Sequence, residues 1–169
     1  MNDPWIFKNF NMVRELDIAG EFIYNGISEL NGIDVIRDNA LTFFTLYTIS
    51  VGIERLQKII LVLWKFDKME NKEDFEKSLI THKHTNLRDE IKKCTKGSKN
   101  SNLNSQENDL ISLLQHFYKS ARYERYIVNG ERDIEIDMFN TYINKHIKKI
   151  QRSVTDDCII LTDDIKEFL

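Results

Sequence analysis

The segment that most constrains the fold of this chain runs from Ala40 to Phe66 and is apolar on almost every side. It contains no proline and one glycine, so it predicts a single long helix at the centre of a bundle. Three charged residues, Glu54, Arg55 and Lys58, nevertheless lie near its middle. Because an unpaired charge is costly to bury, these residues must form ion pairs or face a cleft.

The rest of the chain favours an all-α fold in a single domain over residues 1–169. The one proline, Pro4, lies at the N-terminus, and 169 residues is an ordinary size for one domain. Apolar residues recur at spacings of three and four in several further segments, which is typical of helices with one buried face. We therefore predict a bundle of about five helices around the 40–66 segment.

The other predicted helices cover residues 11–30, 71–94 with a break near 81–85, 106–127 with Ser105 as its cap, and 137–152. The first of them carries an apolar stripe that we expect to face the core: Val13, Leu16, Gly20, Ile23, Ile27 and Leu30. The segment 95–107 is rich in Ser, Asn and Lys, which predicts a mobile loop. Residues 153–169 form a C-terminal tail of ambiguous structure.

The bulk charge and the termini limit the possible partners and location. A net charge of −3 disfavours wrapping by nucleic acid, but a local basic patch remains compatible with 24 Lys and Arg residues. Cys94 and Cys158 lie far apart and fit reduced thiols, although a disulfide stays open. The charges inside the 40–66 helix favour a core helix over a membrane span, and the N-terminus lacks a signal-peptide pattern. We expect a cytoplasmic protein without membrane attachment.

Two groups of polar residues are candidates for chemistry. Glu54 precedes Lys58 by four positions, the favourable order for a helical ion pair. Together with Arg55 they predict either an ion network that fixes the helix register or a polar pocket inside the bundle. The run from Arg122 to Tyr126 places guanidinium groups beside phenol rings, which suits phosphate contact and base stacking. A structural role is the alternative, in which Arg122 or Arg125 neutralises Glu54, because a buried carboxylate needs a partner.

The four histidines carry weaker signals. His82 and His84 point to different sides of a helix, which favours a surface or capping role over a metal site, although one His near arginines could act in RNA cleavage. His116 and His146 lie near the apolar rows of their helices, so we expect both at the edge of the core. The sequence contains no phosphate-binding loop and no serine-hydrolase, zinc-protease or CxxC motif, so it predicts no metal and no cofactor.

The order of three segments resembles that of HEPN-domain proteins: Ser50–Ile59 in the central helix, then His84–Leu87, then Phe117–Tyr123. The resemblance implies a bundle of about five helices, usually dimeric, in prokaryotic toxin–antitoxin, phage-defence or stress systems. Many such proteins are metal-independent ribonucleases whose active site pairs an Arg with a following His. In this chain no Arg is followed by a His at the family spacing of about four to six intervening residues.

The resemblance implies an RNA-linked role and leaves catalysis open. Under it, His84 and Arg122 are candidate catalytic residues, and Arg125 and Tyr126 are candidate RNA contacts. A non-catalytic module that binds a protein partner is the alternative. A homodimer through a helical face is also expected, because several large apolar residues cannot all fit one interior stripe: Phe43, Phe44, Trp64 and Phe66.

Overall fold

The structure is a computed structural model that describes residues 6–31, 38–68, 71–96 and 102–153. These ranges contain six α-helices and no strand, which confirms the predicted all-α fold. A π-helical turn, Phe7–Asn11, precedes the first helix, and 3-10 turns follow the second and fifth helices at Phe66–Lys68 and Ala121–Tyr126. The helices are α1 (Met12–Asn31), α2 (Asn39–Lys65), α3 (Lys72–Leu79), α4 (His84–Cys94), α5 (Ser105–Lys119) and α6 (Ile134–Ser153).

Helix α2 is the centre of the bundle, as its apolar composition predicts. It begins after Asp38, whose carboxylate accepts hydrogen bonds from the backbone N–H groups of Ala40 and Leu41 at 2.9 and 3.0 Å. Helices α1, α4, α5 and α6 all pack against it. No helix within the described ranges is long and apolar enough to cross a membrane.

Two glycines set the close crossing of α1 and α2. A Cβ atom added to Gly26 of α1 would lie 2.5 Å from Ile49 Cγ1, and one added to Gly52 of α2 would lie 2.5 Å from Ile23 Cγ1 and 3.0 Å from the carbonyl oxygen of Ala19. Any larger residue at either position would push the helices apart. The face of α1 that approaches α2 is therefore the one with small residues.

This crossing confirms only part of the expected orientation of α1: Ile23 and Leu30 of the predicted stripe are half-buried, with Ile23 against Gly52 and Leu30 against the core. Val13, Leu16 and Ile27 were expected in the core, but each is about half exposed. The buried residues of α1 are Met12, Ala19 and Gly26, on the neighbouring face of the helix.

The core consists of two apolar clusters with polar residues between them on α2. One cluster surrounds Ile59, Leu61 and Val62 of α2 and includes Phe66, Phe75 and Leu87. The other surrounds Leu46 of α2 and includes Leu113, Leu114, Phe117 and Phe139. Between these levels α2 buries Ser50, Glu54 and Gln57. Glu54, the buried charged residue of the central helix, thus lies beside two further buried polar side chains.

Several helix boundaries differ from the sequence-based expectation, while the break near 81–85 is confirmed, since α3 ends at Leu79 and α4 begins at His84. The cap of α5 is Asn104 and not Ser105; Asn104 forms a capping box with Glu107, so residues 105–107 are helical and not loop. Helix α5 ends at Lys119, short of the expected 127. Residues 97–101 of the predicted loop and 154–169 of the tail, with Cys158, lie outside the described residues.

Candidate functional site

The carboxylate of Glu54 is the centre of a buried polar cluster. Its side chain is 10% exposed and accepts hydrogen bonds from Lys58 Nζ at 2.7 Å and from His82 Nδ1 at 2.8 Å. The Glu54–Lys58 pair expected from the helical spacing is confirmed. Neither Arg122 nor Arg125 pairs with Glu54, and the second partner is a histidine from the link between α3 and α4.

Two arginines that the sequence placed near Glu54 have other partners. Arg55 forms an ion pair with Glu15 of α1 and lies 6.0 Å from the ring centroid of Phe22, so it belongs to the α1–α2 contact and not to the Glu54 network. Arg125 forms an ion pair with Glu135, which is only 1% exposed. Each arginine therefore pairs with a carboxylate from the helix against which it packs, α1 for Arg55 and α6 for Arg125.

His82 combines an exposed ring with a fixed partner. Its side chain is 61% exposed, and its ring centroid lies 5.0 Å from that of Tyr118 on α5. A carboxylate at Nδ1 favours the tautomer that carries its proton there, which leaves the lone pair on Nε2. His82 is therefore arranged as a proton acceptor next to an aromatic ring.

Tyr118 connects this histidine to a cation. The guanidinium carbon of Arg122 lies 3.9 Å from the Tyr118 ring centroid and 4.6 Å from that of Tyr123. Tyr47 of α2 stacks on Tyr118 with centroids 5.9 Å apart. Burial raises the pKa of Tyr118, so the phenol stays neutral near pH 7. Arg122 has no carboxylate partner within the described residues, which leaves its charge available for an anion.

A cleft of about 550 Å³ opens beside this cluster, within the size range of small-ligand sites. Its polar lining comprises Glu54, Lys58, His82 and the Arg55–Glu15 ion pair. Its apolar lining combines aliphatic side chains with four aromatic rings, those of Phe7, Phe22, Tyr47 and Tyr118. A cleft with π-faces, a cation and an oriented imidazole suits a ligand that carries both a planar ring and an anionic group. Among the described residues, no three His, Cys, Asp or Glu side chains are grouped as a metal site.

The sequence suggested a surface or capping role for His84, but the structure buries this residue completely. Its Nε2 is 2.9 Å from Ser50 Oγ, and its carbonyl oxygen accepts a hydrogen bond from Gln57 Nε2 at 3.1 Å. Burial lowers the pKa of His84 to about 4, so the ring is neutral near pH 7. A neutral, inaccessible ring cannot exchange protons with a ligand in the cleft, and His82 takes over the position that the sequence assigned to His84.

The predicted RNA contacts Arg125 and Tyr126 are not part of the cleft. They line a separate depression of about 580 Å³ with Ile127, Val128 and Arg132. The ring of Tyr126 is largely exposed there, while the charge of Arg125 is taken by Glu135. The structure therefore brings Arg122 close to His82 through Tyr118 and separates it from Arg125 and Tyr126.

Both remaining histidines were expected at the edge of the core, but one of them is buried and the other is exposed. His146 is buried and its Nε2 is 2.8 Å from Asp109 Oδ2, which satisfies one side of the ring. His116 is exposed on α5, so the expectation was wrong for it. Neither contributes to the cleft.

Sequence reasoning named Glu54 and Lys58 but missed His82 as their partner. Two features of the sequence could have indicated His82. A carboxylate in an apolar helix needs a partner, and the predicted helix break at 81–85 contains two histidines. Comparison of the chain with protein-family models, with curated proteins and with solved structures gives no significant match. We therefore infer the function from the geometry of the cleft.

Proposed function

We propose that this protein is a HEPN-like, RNA-linked component of a prokaryotic defence, toxin–antitoxin or stress system, and that it acts in the cytoplasm. The RNA site of this proposal is the cleft at Glu54 and His82. One observation carries it: an exposed histidine is held by a buried carboxylate and lies beside a tyrosine whose face binds an arginine. An Arg and a His thus meet around one ring although the sequence contains no Arg–His motif.

Each part of an RNA strand has a matching group at this site. Arg122, which has no carboxylate partner among the described residues, supplies positive charge for a phosphate, and the aromatic rings that line the cleft can contact a base. His82 Nε2 can accept the proton of a ribose 2′-hydroxyl, the group that distinguishes RNA from DNA. We propose RNA binding. Because His82 is available as a general base, the experiment below also tests whether the protein cleaves RNA.

The test is incubation of the protein with labelled single-stranded RNA and with tRNA, at low salt and without metal. Wild type is compared with His82→Ala and Arg122→Ala, while His116→Ala removes an exposed histidine outside the cleft and serves as control. We expect His82→Ala and Arg122→Ala each to bind RNA at least about tenfold more weakly, a loss of about 1.4 kcal/mol, and the control to match wild type. Product formation that disappears in both variants would add catalysis to the proposal.

Low salt is the sensitive condition, because phosphate contacts are strongest there. A wild-type protein that neither binds nor cuts RNA under these conditions would refute the RNA proposal. Equal loss of binding in His116→Ala would show that the effect does not arise from the cleft. Tyr126→Ala is the matching test of the separate depression, and the proposal expects it to bind as wild type does.

A second candidate, a non-catalytic interaction module, is favoured by an exposed apolar surface on α1 and α2. Glu15 and Phe22 mark the edge of α1 that meets Arg55 of α2. At about 100° per residue, Val13, Leu16 and Ile27 lie on the opposite edge of α1. Ile60 and Trp64 lie on the corresponding edge of α2. We call this set the α1–α2 face: Val13, Leu16, Ile27, Ile60 and Trp64, each 40–54% exposed.

Monomeric proteins seldom expose a connected apolar patch beyond about 300–600 Å², and larger patches mark interaction sites. We propose that a second copy of this chain covers the α1–α2 face, which gives the homodimer expected from the sequence. Light scattering at tens of micromolar measures the mass of wild type and of Leu16→Glu. Ile18→Glu is the matched control, because Ile18 is also an exposed apolar residue of α1 but faces away from Val13, Leu16 and Ile27.

The dimer proposal expects wild type to have twice the monomer mass, Leu16→Glu to be a monomer and Ile18→Glu to remain a dimer. A wild-type monomer at this concentration contradicts it. Equal disruption by Ile18→Glu would place the interface elsewhere. Failure here leaves the RNA proposal intact, because the cleft lies on the opposite edge of α1, at Glu15 and Phe22.

A further inference from the structure

Three polar residues on one side of α2 all contact the short segment from His82 to His84. Ser50, Glu54 and Gln57 follow one another at spacings of four and three, which places them on a single stripe of the helix. Glu54 binds the ring of His82, Ser50 binds the ring of His84, and Gln57 binds the carbonyl oxygen of His84. The stripe therefore holds this segment at three points.

His82 cannot be held in place by its own packing. Its ring is mostly exposed, and it belongs to residues 80–83, which connect α3 to α4 without helical structure. Each link residue has many alternative conformations, so an exposed ring at such a position needs a fixed neighbour to stay in one geometry. The next fixed point along the chain is His84.

His84 has the properties of an anchor. It is the most deeply buried histidine of the described chain, and its ring meets Tyr118 edge-on, with centroids 6.4 Å apart at an angle of 84°. The same Tyr118 ring contacts His82 on another side. A shift of His84 would therefore move both the backbone that carries His82 and the ring against which His82 lies.

We propose that His84, held by Ser50 and Gln57, is a positioning residue that places the ring of His82 against Glu54 and Tyr118. The effect on RNA binding depends on the function proposed above, whereas the effect on the ring of His82 does not. A merely structural role for His84 would change stability without changing the state of the His82 ring. The two readings differ in a quantity that can be measured.

That quantity is the tautomer of His82, read from two-bond ¹H–¹⁵N correlations of the full-length, ¹⁵N-labelled protein near neutral pH. In wild type, we expect the contact with Glu54 to keep the proton on Nδ1. In Ser50→Ala and Gln57→Ala, which each remove one contact to His84, we expect His82 to shift toward the Nε2–H form that free histidine prefers. His116→Ala is expected to leave His82 unchanged.

RNA binding supplies the second readout. Ser50→Ala is expected to reduce RNA affinity about as much as His82→Ala does, and the double variant no further, because both changes remove the same placed ring. Circular dichroism and thermal melts confirm that the variants are folded. If wild type binds no RNA, the proposed function fails and the tautomer of His82 still decides this inference. It is overturned if His82 keeps its wild-type tautomer in folded Ser50→Ala and Gln57→Ala.

Discussion

The buried ring of His84 predicts that acid weakens this fold by a defined amount. Burial lowers the pKa of His84 from 6.5 to about 4. Between these two values the unfolded chain takes up a proton at His84 that the folded chain does not, so the free energy of unfolding falls as the pH falls. At about 1.4 kcal/mol per pH unit, the loss from this one ring reaches about 3 kcal/mol at pH 4.

The assay is urea unfolding followed by circular dichroism at several pH values from 7.5 to 4, for wild type and for His84→Gln. Glutamine does not titrate, so the variant lacks the contribution of His84. The charged and titratable groups around the ring, Glu54, His82 and Lys58, are present in both proteins. The difference between the two pH profiles therefore isolates the effect of His84.

We expect wild type to be the more stable protein at neutral pH and to lose about 3 kcal/mol more than His84→Gln by pH 4. His116→Gln removes an exposed histidine from the same bundle and should follow the wild-type profile. Parallel profiles for wild type and His84→Gln would refute the reasoning, because they would show that His84 is protonated equally in the folded and unfolded chains.

Three further predictions concern the packing. Glu54→Ala removes the carboxylate that accepts hydrogen bonds from Lys58 and His82, and both of these side chains reach solvent. The change should therefore cost about 1–3 kcal/mol in urea unfolding, less than for a fully buried pair. Wild-type stability would show that these contacts have no structural role. Gly52→Ala inserts a methyl group into the α1–α2 crossing and should cost about 1–3 kcal/mol. At Gly20 an added methyl group would have no neighbour within 4 Å, so Gly20→Ala should stabilise the protein by up to about 1 kcal/mol. A higher melting temperature for Gly52→Ala than for Gly20→Ala would contradict the close crossing. Arg125→Ala strands the buried carboxylate of Glu135 and should cost about 2–4 kcal/mol, and a melting temperature equal to that of wild type would show that Glu135 is not buried with its charge.

Local features of the sequence were sufficient for the overall architecture. The 27 residues of α2 follow from an apolar run without proline, and the break before His84 follows from weak helical patterning near 81–85. The Glu54–Lys58 pair follows from helical spacing alone, because residues four apart are neighbours on any α-helix. Each of these features depends only on residues within a turn or two of one another.

The orientation of α1 could not be read in this way. The pattern at Val13, Leu16 and Ile27 correctly indicates a helix with an apolar stripe, but it does not say which element covers that stripe. The buried face is chosen by the fit of Gly26 against Ile49 and of Gly52 against Ile23, which depends on two helices at once. Pairwise steric fit of this kind has no periodic signature in one sequence.

The site shows the same division. The sequence determined that a carboxylate at Glu54 within an apolar helix requires a partner, because its charge cannot be buried alone. Only the tertiary structure decided that the partner is His82, 28 positions away, and that His84 turns inward instead. The backbone of the four-residue link between α3 and α4 determines which of the two histidines faces Glu54 and which faces Ser50. That backbone is set by the packing of both helices on α2, and no local pattern encodes it.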